Sequence, residues 1–91
     1  MDTLFIGYDL HKPKTWDDYK DLISAIKAIS GTWWHCLDST WFVRTSMTCV
    51  EVRDLLLPHI DANDDLVVVM LNHEGAWYLN KECSDWLKKN L

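Results

Sequence analysis

Thr32-Trp33-Trp34-His35-Cys36-Leu37, then Asp38-Ser39, then Thr40-Trp41-Phe42-Val43-Arg44-Thr45 is the stretch that decides the fold. Aromatic and β-branched residues dominate both halves, and Asp-Ser between them is turn chemistry. The stretch therefore reads as two strands joined as a hairpin or through a bulge. A helix lies on each side of it in the sequence. Upstream, Trp16, Tyr19, Leu22, Ile23, Ile26 and Ile29 recur at helical spacing. Thr15 is the expected N-cap with Asp18 completing a capping box, Asp17, Asp18 and Asp21 suit the positive end of the dipole, and Gly31 is the expected stop. Downstream, Thr48 and Glu51 form a second capping box, followed by the stripe Cys49, Val52, Leu55, Leu56 and Ile60. Pro58 closes or kinks the last turn of that helix.

Beyond each helix lies another strand. In Thr3 to Asp9, Leu4, Ile6 and Tyr8 point to one face, and Phe5, Gly7 and Asp9 to the other. After the loop Asp61-Ala62-Asn63-Asp64-Asp65, Leu66 to Leu71 is an unbroken apolar run, the pattern of a central strand covered on both faces. Gly75-Ala76-Trp77-Tyr78 reads as a short extra strand, and Asn80 as the cap of a final helix carrying Cys83, Trp86, Leu87 and Leu91. Strand, helix, strand, strand, helix, strand predicts one α+β domain over residues 1–91. The expected architecture is a ferredoxin-like βαββαβ unit with a four-stranded antiparallel sheet, two helices on one face, and a C-terminal extension. The second sheet face then needs a cover, supplied either by a homodimer or by the C-terminal segment.

Composition narrows the functional classes. Of 91 residues, 48% are hydrophobic and 25% charged, which fits a globular chain and excludes a disordered one. The apolar run at 66–71 is too short to span a bilayer, and Met1-Asp2-Thr3 does not open like a signal peptide, so the reading is cytoplasmic with no membrane partner. Cys36, Cys49 and Cys83 form no CxxC pair and no zinc pattern. Free buried thiols in a reducing compartment are the simplest reading. Six tryptophans exceed what so small a core encloses, which again points to a partner interface. The net charge of −5 works against a broad nucleic-acid-binding face.

Leu4-Phe5-Ile6-Gly7-Tyr8-Asp9-Leu10 resembles the first strand of the small CRISPR-associated endonucleases, the partner subunit of the spacer integrase. Ser39-Thr40-Trp41-Phe42-Val43 is similar to that family's Ser-x-Phe segment. The chain also resembles short SinR-like proteins through Gly31-Thr32-Trp33-Trp34-His35, Leu37-Asp38-Ser39-Thr40-Trp41 and His59-Ile60-Asp61-Ala62-Asn63-Asp64. Virulence-associated protein D toxins share the implied fold. The resemblance implies a homodimer and metal-dependent phosphodiesterase activity on RNA or DNA. In it, Asp9 is the catalytic residue and magnesium ligand, and Ser39 helps to position a phosphate. Where that family has basic residues before its third strand, this chain has Trp33-Trp34-His35-Cys36.

Each candidate has a plainer counterpart. Asp9 either binds magnesium or ends a strand and caps the next loop. His35 and Asp38, three apart in a strand, face opposite ways and make a poor metal pair. His11, His59 and His73 fall in loops or at element ends, with no spacing that links them to a partner. Phe5, Trp34 and Trp41 are either a base-stacking platform on the open sheet or packing residues. The alternative to the nuclease reading is a non-catalytic dimeric module that binds a protein or nucleotide partner.

Overall fold

The hairpin forms where its residues dictate. In the computed structural model, β2 (Trp33–Leu37) pairs antiparallel with β3 (Thr40–Thr45), with Trp34 opposite Phe42 and a register slip between Trp34 and Leu37. Asp38 and Ser39 make the turn, and Ser39 adopts a left-handed backbone (φ 55°) that few non-glycine residues visit. The structure describes residues 1–11 and 16–91, with the backbone alone for 16–18. The cap expected at Thr15 with Asp18 lies outside the described side chains.

β1 (Asp2–Asp9) and β4 (Asp65–Met70) complete a four-stranded antiparallel sheet in the order β2-β3-β1-β4. Helices α1 (Trp16–Ile29) and α2 (Cys49–Leu56) pack on one face. The alternation predicted for β1 decides what they meet. Leu4 and Ile6 join Trp41 and Val43 of β3, Leu22 and Ile26 of α1, and Val52 and Leu56 of α2 in one buried cluster. Both helical pairs are four residues apart, which stacks them on one stripe. The capping box at Thr48 and Glu51 is present in both directions (3.1 and 3.0 Å) and fixes where α2 begins. Pro58 falls in a 3-10 turn (Leu57–His59) that closes the helix. Leu55, expected in the apolar stripe, is exposed instead.

Three expectations change on the other face. β4 is an edge strand, not a central one, and Val67 and Val69 on its outer face are 52% and 44% exposed. Its apolar run thus covers one face only, through Leu66 and Val68 packed against the core. Residues 75–78 form no strand; the chain crosses the sheet irregularly there and enters α3 (Lys81–Asn90), capped by Asn80 as predicted. Finally, Cys36 and Cys83 are not free thiols. They form a disulfide from β2 to α3, with Cα atoms 6.3 Å apart, and Cys49 alone is free.

This C-terminal segment is the cover that the tryptophan surplus requires. Leu87 of α3 is buried, the Trp34 indole N–H donates to the Cys83 carbonyl (3.0 Å), and Trp77 donates to Ser84 Oγ (2.9 Å). At the far end of α3, the Asn90 carbonyl accepts from Thr3 Oγ1 and from Arg44 Nη1 (3.2 Å). The β2–β3 half of the face and the start of β1 at Thr3 are covered in this way. The β1–β4 half, with Gly7, Val67 and Val69, stays open.

Candidate functional site

At the open end of β1 the ladder closes on a pair of like charges. Asp9 lies directly opposite Asp65, and a shared register position in an antiparallel pair puts both side chains on the same face. Two carboxylates in that relation repel each other. His11, just past the strand end, offsets the repulsion. Its Nε2 is 2.6 Å from Asp65 Oδ2 and 3.8 Å from Asp9 Oδ2. One donor atom from each of the three residues falls within 4.8 Å of the other two.

The loop before β4 holds the His11 backbone in place. The His11 backbone N–H donates to Asp64 Oδ1 (2.9 Å), while Asp64 Oδ2 accepts from the Asp61 N–H (2.8 Å) and the Asp64 N–H returns to the Asp61 carbonyl (3.0 Å). The Asp-rich loop thus has a mechanical role, bracing the site's histidine. The hydrogen bond to Asp65, aided by the charge of Asp9, raises the His11 pKa above its usual 6.5. All three side chains are exposed, so a ligand reaches them without any rearrangement of the core.

The donor set suits a divalent cation. An imidazole nitrogen with two carboxylate oxygens is a mixed N,O set, which favours manganese, zinc or iron(II) over magnesium, a cation that prefers oxygen alone. To ligate, Nε2 must shed its proton and exchange Asp65 for the metal. Three protein donors leave positions open for water and substrate. Beside the carboxylates is a shallow recess of about 240 Å³ formed by Phe5, Gly7, Tyr8, Leu66 and Val67. The Phe5 ring lies over Gly7, where an added Cβ would come within 2.8 Å of it.

The other predicted residues fall elsewhere. The Ser39 carbonyl accepts the Tyr8 N–H (3.1 Å), so the β2–β3 turn sits beside the end of β1, and Ser39 is exposed there. Tyr8 precedes Asp9 but lies on the helix face; burial pushes its phenol pKa up, and its oxygen accepts the Trp41 indole N–H (3.4 Å). It cannot serve the carboxylate pair. His35 stacks flat on Trp41 (centroids 3.9 Å, planes 6° apart) and bonds the Thr40 carbonyl through Nδ1 (3.0 Å), a packing role. The platform of Phe5, Trp34 and Trp41 is not formed. Trp41, 1% exposed, belongs to the opposite face, and Trp34, 3% exposed, lies under α3.

Sequence reasoning missed His11 and Asp65. The signal was topological: once β4 runs antiparallel to β1, the first residue of one meets the last of the other, and Asp65 must face Asp9. No family model, curated protein or solved structure matches the chain.

Proposed function

We propose that this chain is a ferredoxin-like, cation-dependent phosphodiesterase that works as a homodimer on short RNA or DNA, as its resemblance to the small CRISPR-associated and SinR-like proteins implies. The observation that carries the reading is the convergence of Asp9, His11 and Asp65 on one exposed point. In this reading the three residues hold the cation. Bound there, a divalent cation would supply Lewis-acid polarisation of a phosphoryl oxygen and a water of lowered pKa as nucleophile. Ser39, beside the same strand end, is assigned to the substrate phosphate. The open half of the sheet, with Val67 and Val69, is assigned to the dimer contact.

The expectation of magnesium gives way in this proposal to manganese or a similar ion, because an imidazole is among the donors. Titration calorimetry with Mn²⁺ and Mg²⁺, followed by cleavage of short single-stranded oligonucleotides, tests it. Asp9→Ala is expected to abolish cation binding and cleavage while the protein stays folded and sediments as a dimer. Equal cleavage by wild type and variant sinks the reading.

A second reading, a non-catalytic dimeric module in the same cytoplasmic setting, is favoured by the 2.6 Å His11–Asp65 pair. There the trio merely clasps the end of β1 to the loop before β4. A dimer that binds no divalent cation at neutral pH decides for it.

A further inference from the structure

We propose that α3 is a redox-controlled strap, released from the sheet when the Cys36–Cys83 disulfide is reduced. The helix is tied most firmly at its two ends, with the Trp77–Ser84 hydrogen bond and the Leu87 side chain between them. At its start the disulfide ties it to β2, and at its end the Asn90 carbonyl is gripped by Thr3 and Arg44. Between these points Leu87 is its one buried residue among those described. Beside it opens an apolar cleft of about 390 Å³, bounded by Trp34, Phe42, Leu71, Trp77, Leu87 and Leu91. Of the residues around this cleft only Leu87 belongs to α3, so the helix meets the sheet chiefly through that one side chain.

What the strap hides is continuous with what lies open. Phe5 is 6.0 Å from Phe42, and Phe42 stacks on Trp34 at 4.6 Å. This aromatic row runs from the open half of the sheet to beneath α3. Lifting the helix lengthens the apolar face and uncovers its largest member, Trp34.

The bond is reachable. Cys36 is exposed, and a recess of about 220 Å³ opens onto the disulfide between Trp33, His35, Glu82 and Trp86. A dithiol reductant supplies the chemistry. Its thiolate attacks Cys36 Sγ, the S–S bond breaks, and Cys83 leaves as a thiolate that takes up a proton. The reductant's second thiol then resolves the mixed disulfide, freeing Cys36 as a thiol and leaving the reductant oxidised by two electrons. In a reducing compartment disulfides are mostly transient and redox-sensing, which suits a strap of this kind.

Native-state hydrogen exchange against urea, on the full chain with and without dithiothreitol, tests this. In the reduced protein the α3 amides are expected to exchange at least tenfold faster than the amides of β1 and β3, with a much shallower urea dependence. In the oxidised protein that gap narrows. Cys83→Ser should reproduce the reduced behaviour without reductant, and Cys49→Ser should match wild type. Reduced protein in which α3 and the sheet exchange together, with one slope, overturns the proposal. So does α3 protection that reduction leaves unchanged. Iodide quenching of tryptophan fluorescence that grows on reduction in wild type, but not in a Trp34→Phe variant, reports the same opening independently.

Discussion

Removing the Cys36–Cys83 crosslink should cost this domain a large part of its stability. The bonded residues are 47 apart in sequence. In the chain-entropy description, closing a loop of that length lowers the unfolded-state entropy enough to stabilise the folded state by about 4 kcal/mol. A domain of 91 residues is typically stable by roughly 5–14 kcal/mol. The double variant Cys36→Ser/Cys83→Ser is therefore expected to unfold at a urea concentration lower by about 2–4 M, taking a slope of roughly 1–2 kcal/mol per molar. Its slope should also rise, because the unlinked chain exposes more surface when unfolded. Reduced wild type should behave like the variant, whereas Cys49→Ser should behave like oxidised wild type. Circular dichroism reports the transition for all α and β structure, and the fluorescence of the six tryptophans reports the loss of tertiary packing. A loss below about 1 kcal/mol, or equal losses for the Cys49 and Cys36/Cys83 variants, would refute the reasoning.

Other consequences follow from single contacts. The His11 imidazole should titrate above its ordinary 6.5, and Asp65→Asn should lower it, because the Asp65 hydrogen bond is the leading cause of the shift. Whatever stability the pair adds is fully present below pH 6.5 and is lost as the pH rises through the raised value; imidazole NMR shifts unmoved by Asp65→Asn count against the pairing. Thr48→Ala should destabilise α2 by about 1 kcal/mol in a thermal melt, and no change would mean that the capping box is not formed in solution. Trp41→Ala, at the largest fully buried side chain among the described residues, should cost about 3–5 kcal/mol, and a loss under about 1.5 kcal/mol in urea unfolding would contradict its place there.

The fold was legible because local and long-range signals agreed along most of the chain. Thr48 with Glu51, Asn80, the alternation of Leu4 and Ile6, and the Asp38–Ser39 turn all act through neighbours in sequence, so the residue types alone place them. The failures have one physical source. The Leu66–Leu71 run reads as central because it is apolar throughout, but strand position depends on which strand pairs with which, and β4 pairs with β1 alone. An apolar residue at an edge costs a chain little. The disulfide was missed for a similar reason. Cys36 and Cys83 meet only because α3 folds back across β2, and no spacing rule encodes that return. At the site, Asp9 was visible as a strand end, while its partners came from a loop and from a strand 56 residues away in sequence.

The acidic charge of the chain weighs differently once this geometry is known. A net charge of −5 argues against a phosphate backbone held by scattered lysines. It does not argue against a phosphate held through a cation. With His11 protonated, the trio of Asp9, His11 and Asp65 carries one net negative charge and repels a phosphate. With the imidazole neutral and a divalent ion bound, the same trio carries none, and the ion presents its remaining coordination positions outward. The proton on His11 and the cation therefore compete for one nitrogen, and only one of the two outcomes admits a phosphate. The raised His11 pKa places that competition above pH 6.5, so cation uptake should strengthen with rising pH over the range in which the His11–Asp65 pair weakens. In the clasp reading the same deprotonation loosens the loop and gains nothing in return. The two readings therefore separate on one titration series: Mn²⁺ affinity that rises with pH supports the cation site, and no Mn²⁺ binding at any pH supports the clasp.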